Sequence, residues 1–132
     1  MIAVAAGRER VETITAPLGC EIHFANDNCP RQVVIVVQPR DEKPVMEQLA
    51  RDGVFVEKLP YDRGYHTPAF TYICEPLRQF FSAMRMGPPC VPLYSCSTAS
   101  EYPADAAGIL NLVSNTFANP LLFRQTIEKM YA

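Results

Sequence analysis

An unbroken run of five β-branched residues, Val33 to Val37, constrains the fold more than any other stretch of this chain. Valine and isoleucine fit the pleated surface of a strand, and a continuous apolar run is typical of a strand that is covered on both faces. The run therefore predicts a central β-strand around which the other elements of the first half are arranged.

Shorter segments on both sides of this run extend it into a βαββαβ pattern. Apolar or alternating stretches predict further strands, and helical spacing with end signals predicts helices. The expected strands are residues 2–6, 20–25 and 54–59, and the expected helices are residues 8–14 and 41–52. This order predicts an α+β fold in which residues 1–62 form a ferredoxin-like small subdomain.

Residues 63–132 are predicted to be mostly helical. Thr67 is expected to cap a helix that begins at Pro68 and runs to Met84, with Pro76 kinking or restarting it. The apolar residues of this helix are expected to be core rather than a cofactor site. The remaining expected elements are a short strand at residues 91–95, a helix at residues 105–117 and a last helix that Asn119 caps.

Charge and composition exclude several classes of function. The 132-residue chain has a net charge of −2 and no basic run, so we expect no nucleic-acid partner. No apolar run approaches the roughly 20 residues of a spanning helix, so we expect no membrane association. Five cysteines without an export signal indicate reduced thiols in a cytoplasmic protein. Cys20 and His23 fall on opposite faces of their predicted strand, so we expect no metal site.

His66 is the more promising of the two histidines as a catalytic group. It lies where the predicted sheet meets the helix at Pro68, so a ring nitrogen can reach solvent while the backbone is fixed on either side. A histidine at such a junction can equally be a packing residue. A general base also needs a nucleophile, and the chain contains no Gly-x-Ser-x-Gly elbow. The residues alone therefore give a candidate base without a nucleophile.

Four segments of the chain carry a resemblance to one enzyme family. Ala25 to Ile35 resembles the Ala-Asn-x-Asn-Ser-Pro-x-Gln-Val-Val-Ile segment of malonyl-CoA:acyl-carrier-protein transacylases and of the acyltransferase domains of polyketide and fatty-acid synthases. Tyr65 to Pro68 is similar to their Phe-His-Ser-Pro motif. Its Tyr-His-Thr-Pro form resembles multidomain iterative synthases more than free-standing transacylases. Residues 91–95 and 119–124 are similar to the following strand and to a Pro-Val-x-Phe helix start.

The resemblance implies that residues 1–62 are the small subdomain of an acyltransferase and that residues 63–132 return toward a large α/β-hydrolase-like subdomain, absent here. His66 would then be the catalytic base, acting with a serine outside the chain on malonyl-CoA and on the phosphopantetheine thiol of an acyl carrier protein. No cofactor is expected to be bound, and an adjacent ketosynthase domain is an expected partner. The isolated chain is expected to be inactive.

Residues near the histidine bear on the choice of substrate in this family. The residue that precedes the histidine is bulky in domains that load malonyl units and small in domains that load methylmalonyl units, so Tyr65 favours malonyl. Arg63, which departs from the usual tetrapeptide, belongs to the same selectivity segment. Asn26 and Asn28 lie in a predicted loop that faces the family's cleft, although as turn-formers they need not contact substrate. The alternative function is a free-standing, non-catalytic ferredoxin-like binding module.

Overall fold

The computed structural model describes residues 1–61 and 63–131. In this part of the chain a four-stranded antiparallel sheet, a two-stranded hairpin and five α-helices form an α+β fold, as predicted. Residue 62, where the sequence predicts the division between the two halves, and the last residue, 132, lie outside the described residues. None of the described helices is long and apolar enough to cross a membrane.

The sheet occupies the first half of the chain and has the predicted central strand in an internal position. Its strands are β1 (Ile2–Val4), β2 (Ile22–Cys29), β3 (Gln32–Val37) and β4 (Val56–Lys58), in the order β2-β3-β1-β4. The connecting helices are α1 (Arg8–Thr15), which continues as a short 3-10 helix (Ala16–Leu18), and α2 (Glu42–Arg51). The chain therefore runs βαββαβ, with the β-branched strand β3 between β2 and β1.

The hydrophobic core lies between one face of this sheet and the two helices. Ile2 pairs with Ile35 and Val4 with Val33 across β1 and β3, so these four side chains share one face. Apolar residues of both helices close over that face. The core residues without solvent exposure are Ile2, Val4, Val11, Val33, Ile35, Val45 and Leu49. The helical spacing of Val45 and Leu49 explains why α2 lies on the sheet with this side inward.

Strand β2 is longer than predicted and includes the asparagines that the sequence places in a loop. It runs through residues 26–28 to Cys29, and two register shifts against β3 indicate β-bulges. Leu121 pairs with its other edge, donating its N–H to Ala25 O and accepting the Asp27 N–H, each at 2.8 Å. The loop prediction is therefore wrong. Backbone pairing on both edges of β2 outweighs the local turn preference of asparagine, and the bulges accommodate the shifts in register between β2 and β3.

The second half consists of helices and one hairpin. Its elements are a 3-10 helix (Pro68–Ile73), α3 (Cys74–Ser82), β5 (Tyr94–Ser95), β6 (Ser100–Glu101), α4 (Ala106–Asn115), a 3-10 helix (Thr116–Ala118) and α5 (Phe123–Met130). Pro76 lies in the first turn of α3, where its missing N–H costs no helical hydrogen bond, so the predicted restart is confirmed. Asp105 caps α4 by accepting the Gly108 N–H at 2.8 Å.

Neither of the two predicted helix caps makes a side-chain capping bond, and one of them is in the wrong place. Thr67 stands at the N-cap position of the helix that begins at Pro68, as predicted, but its hydroxyl donates back to Gly64 O at 2.6 Å and makes no capping bond. Asn119 does not begin the last helix, because its side-chain Nδ2 donates to Asn115 O at 3.0 Å and α5 starts only at Phe123. In both cases a polar side chain that suits a helix cap bonds to a nearby backbone carbonyl instead.

Part of the apolar surface that was expected to be core is exposed. Phe70 is buried, as predicted, whereas Phe80 is 61% and Met84 48% exposed. None of the residues of α3, all of which the structure describes, is buried. The prediction fails here because helical spacing shows that one side of a helix is apolar, but not which element covers it.

Candidate active site

His66 lies in the turn that precedes the 3-10 helix at Pro68. Its backbone has a φ of 61°, in the left-handed region that few non-glycine residues adopt and in which histidine is among the more frequent exceptions. The ring is half-buried. Such a conformation persists only where the surrounding structure fixes it, and it is common at functional sites.

Two consecutive backbone carbonyls hold this histidine. Its backbone N–H donates to Phe117 O at 2.8 Å, and its ring atom Nδ1 lies 3.0 Å from Thr116 O. Because a carbonyl only accepts hydrogen bonds, this contact selects, for the neutral ring, the tautomer with the proton on Nδ1 and the lone pair on Nε2. The ring also stacks on Phe117, with centroids 5.7 Å apart and an interplanar angle of 21°. An imidazole fixed in this way has the tautomer that a general base requires.

Tyr65 lies beside the histidine in a cluster of aromatic rings. Its centroid is 4.6 Å from that of Phe70, 6.3 Å from that of Tyr61 and 6.4 Å from that of Phe117. Phe117 also stacks on His66, so the candidate base and the candidate selectivity residue share one neighbour. Contacts on several sides restrict the Tyr65 ring to a narrow range of positions.

Arg63 lines a cavity of about 580 Å³ next to this turn. The cavity lies at the carboxyl ends of β3 and β4, and Lys58, Tyr61 and Gly64 also contribute to its wall. Glu21 and Glu42 line the same cavity, and Lys58 Nζ pairs with Glu42 Oε1 at 2.6 Å, so positive and negative side chains are mixed in its wall. The structure thus places the predicted selectivity residue Arg63 at an opening beside the histidine turn.

The two asparagines that were predicted to line a cleft make structural contacts in β2. Asn28 Nδ2 donates to Gln32 Oε1 at 3.1 Å across the β2–β3 hairpin, and Asn26 forms a parallel bridge with Leu121. Within residues 1–61 and 63–131, no hydrogen bond joins either asparagine to His66. These contacts hold the hairpin together and attach the second half of the chain to it.

The sequence does not predict a buried ion pair that joins the two halves. Asp27 of β2, whose side chain is 6% exposed, accepts hydrogen bonds at Oδ2 from Arg124 Nη2 at 3.0 Å and Nε at 3.2 Å. The hydrogen bonds and negative charge of Asp27 raise the pKa of the Arg124 guanidinium. The residues alone favour a solvated Arg124, because its partner is 97 positions away. The pair also lines a second cavity of about 580 Å³, together with Arg8 and Arg31.

The other residues with catalytic or ligand chemistry are dispersed. Among the described residues, no group of three or more His, Cys, Asp or Glu side chains is arranged to hold a metal ion. The ring atom Nε2 of His23, on β2, lies 3.3 Å from Oε1 of Glu21, which directly precedes the strand. This contact is local. The cysteines are all free thiols, Cys29 and Cys90 exposed and Cys20, Cys74 and Cys96 half-buried.

Two solved structures that superpose on this chain are both acyltransferases. The acyltransferase domain of an iterative polyketide synthase in enediyne biosynthesis superposes with a TM-score of 0.82 and 20% identity, over 96% of this chain and 33% of that one. Malonyl CoA-acyl carrier protein transacylase from Clostridium perfringens gives a TM-score of 0.84 and 25% identity, over 98% and 42%. This chain has the acyltransferase fold. The resemblance predicted from four sequence segments is thereby confirmed.

Two further comparisons define how much of an acyltransferase the chain represents. A malonyl-transacylase in complex with its type II polyketide acyl-carrier protein has a TM-score of 0.82 and 17% identity, over 98% of this chain and 43% of that one. Probable polyketide synthase 41 of Dictyostelium discoideum is 21% identical over 131 residues, which are 99% of this chain and 5% of the synthase. No protein-family model matches the chain. The chain therefore spans less than half of these acyltransferases and a small fraction of the synthase.

Proposed function

We propose that this chain is the ferredoxin-like small subdomain, with the helices that follow it, of an acyl-CoA:acyl-carrier-protein acyltransferase in a polyketide or fatty-acid synthase. In this proposal His66 is the general base. The observation that carries it is the bond from His66 Nδ1 to Thr116 O within the acyltransferase fold, which leaves Nε2 as a proton acceptor. The antiparallel strand order β2-β3-β1-β4 of the βαββαβ half supports the ferredoxin-like description.

The proposed reaction has two transfers. Nε2 of His66 takes the proton of a serine hydroxyl contributed by the large subdomain, and the serine oxygen attacks the thioester carbonyl of an acyl-CoA. The carbon–sulfur bond breaks, the imidazolium gives its proton to the departing CoA thiolate, and an acyl-serine ester remains. His66 then takes the proton of the carrier protein's phosphopantetheine thiol, whose sulfur attacks the ester, and returns that proton to the serine oxygen.

Thr116 O contributes to both transfers. Each one converts the neutral ring of His66 into an imidazolium, and the carbonyl oxygen 3.0 Å from Nδ1 faces the charge that develops. The same bond keeps Nε2 pointing in one direction, so the ring needs no reorientation between the two steps.

Malonyl is the acyl group that we propose for this site. The Tyr65 ring packs against Phe70 and Phe117, so it cannot turn aside for an α-methyl branch without disturbing the cluster that supports the histidine. Discrimination over one methyl group is worth about 1–3 kcal/mol. Arg63, at the adjoining cavity, belongs to the same selectivity segment, and we assign Asn26 and Asn28 to the shape of the cleft wall.

Three partners follow from the proposal. An acyl carrier protein is the acyl acceptor, which the transacylase solved with its carrier protein supports. The large subdomain supplies the serine, and the exposed Phe80 and Met84 are apolar surface that a second body can cover. An adjacent ketosynthase domain is the third partner, since the sequence relative is a polyketide synthase.

Substitution of the two histidines in the parent synthase tests the catalytic assignment. His66→Gln is expected to slow malonyl transfer from malonyl-CoA to the holo carrier protein by about 10²- to 10⁴-fold, the usual contribution of a general base. His23→Gln is the matched control and should leave the rate unchanged, because the His23 ring lies on β2 and pairs with Glu21. A His66→Gln enzyme with the wild-type rate would remove His66 from the mechanism.

The isolated chain gives a second test of the same proposal. Because the serine belongs to another part of the enzyme, incubation of the chain with radiolabelled malonyl-CoA should leave no covalent label on it. Stable labelling would mean that one of its own side chains is the nucleophile.

A further inference from the structure

His66 maintains two hydrogen bonds only because its backbone is in an unusual conformation. The backbone N–H reaches Phe117 O and the ring Nδ1 reaches Thr116 O, so both donors point to one turn of the second half. The φ of 61° that allows this disfavours a residue with a Cβ. Neighbouring groups must therefore hold the turn in this shape.

The Thr67 hydroxyl closes the turn around the histidine. Thr67 is 1% exposed, and its Oγ1 donates to Gly64 O at 2.6 Å, so one hydrogen bond joins the residues on either side of Tyr65 and His66. Gly64 O is thereby given a donor in a part of the turn where Thr67 is inaccessible to water. Loss of the hydroxyl would leave that carbonyl without this partner, which favours a different backbone path.

The position of Gly64 is fixed from the other side by strand β3. A Cβ on Gly64 would lie 3.0 Å from Val36 Cγ1 and 3.3 Å from Thr67 Oγ1, so the glycine fits between the strand and the hydroxyl. The Thr67 bond therefore ties the histidine turn to a residue that already packs on the central strand.

We propose that Thr67 is a positioning residue, whose hydroxyl holds His66 in the left-handed conformation that presents Nδ1 to Thr116 O and leaves Nε2 as the proton acceptor. This role deepens the proposed function, on which it rests, by naming the group that holds His66 against the carbonyl that selects its tautomer. Thr67 acts through His66 and is not itself assigned a contact with substrate.

The tautomer of His66 can be measured by nitrogen-15 NMR of the histidine side chains in the chain itself. In the wild type, Nδ1 of His66 should have the chemical shift of a protonated ring nitrogen and Nε2 that of an acceptor. Thr67→Val removes the hydroxyl at nearly constant volume, and should lower the ratio of the Nδ1–H to the Nε2–H tautomer about fivefold or more, the scale of one lost hydrogen bond. Thr67→Ser keeps the hydroxyl and should retain the wild-type ratio.

The outcomes distinguish a positioning role of Thr67 from a purely structural one. Folding of each variant is checked from its backbone amide spectrum, and Thr67→Ala serves as a second variant without the hydroxyl. A folded Thr67→Val or Thr67→Ala protein with the wild-type tautomer ratio overturns the proposal. If neither variant folds, Thr67 is a structural residue and the positioning role is likewise rejected.

The measurement is independent of catalysis. If His66→Gln leaves malonyl transfer unchanged, the proposed function fails, whereas the tautomer ratio still reports whether Thr67 orients the ring. In the parent synthase, Thr67→Val should lower kcat with little change in KM, and Thr67→Ser should restore kcat.

Discussion

The backbone of a single residue determines the chemistry of the candidate site. His66 binds two consecutive carbonyls, Thr116 O and Phe117 O, and both belong to a 3-10 turn some 50 residues further along the chain. The orientation of the ring is therefore set by a distant segment. Any substitution that moves that turn should affect the base even when it leaves His66 untouched.

Tyr65→Ser should relax substrate choice in the parent acyltransferase. Removing the ring opens space next to the histidine, and the ratio of kcat/KM for malonyl-CoA to that for methylmalonyl-CoA should fall by about 10-fold or more, as expected for one methyl group in a pocket. The measurement is competition between the two thioesters for transfer to the holo carrier protein.

Tyr131→Ser is the matched control for this substitution. Tyr131 is 88% exposed and follows the last helical turn, so its loss should leave the ratio unchanged. An unaltered ratio in Tyr65→Ser, with transfer activity retained, would show that the ring does not set the selectivity.

Among the elements, the contact between β2 and α5 holds the two halves of the chain together. Asp27→Asn removes the charge that Arg124 binds, and should lower the free energy of unfolding by about 2 kcal/mol. This is less than the 3–5 kcal/mol typical of a fully buried pair, because the Arg124 side chain is 34% exposed. Urea unfolding followed by circular dichroism measures the difference.

Glu12→Gln is the control for the loss of one carboxylate charge. Glu12 pairs with Arg8 at 2.8 Å, but their side chains are 49% and 51% exposed, so this substitution should change stability by about 0.5 kcal/mol or less. Equal effects of Asp27→Asn and Glu12→Gln would mean that the Asp27–Arg124 pair stabilises the protein no more than an exposed ion pair does.

Local patterns in the sequence predict the elements of the first half, but not the contacts between the halves. The β-branched run of β3 and the helical spacing of α2 are sufficient to place those elements, because their side chains report burial directly. Residues 26–28 are misassigned because pairing with β3 and, at Asn26, with Leu121 determines their backbone, rather than their own turn preference. The Asp27–Arg124 pair is beyond local reasoning for the same reason.

The candidate site shows the same division. The resemblance and their adjacent positions identify Tyr65 and His66 as candidate site residues. The left-handed φ of His66 could not be predicted from the sequence, because neither Tyr65 nor Thr67 imposes that conformation on it. The acceptor Thr116 O is a backbone atom and leaves no trace in residue identity. The sequence therefore identifies the candidate base, whereas the groups that orient it become visible only in the folded chain.

At the scale of the whole molecule, exposed apolar side chains are concentrated in the second half. Phe80, Met84, Val91 and Leu93 are each between 46% and 68% exposed, and Phe80 contacts Phe81 with ring centroids 5.4 Å apart. Large apolar side chains that lie exposed in one half of a chain are candidates for an interaction surface. In the proposed function its occupant is the large subdomain, because the chain spans only 30% to 45% of the acyltransferase structures on which it superposes.

Phe80→Ser should therefore weaken assembly of the acyltransferase. When this chain is mixed with the separately produced large subdomain of its parent synthase, the substitution should raise the dissociation constant about tenfold or more, since burying a phenylalanine side chain contributes about 1.5–3 kcal/mol. Isothermal titration calorimetry measures the affinity. Phe55→Ser is the matched control, because Phe55 is 71% exposed but precedes β4 on the sheet side of the chain, and it should leave binding unchanged. Equal loss of affinity in both variants, or none in Phe80→Ser, would place the subdomain contact elsewhere on the molecule.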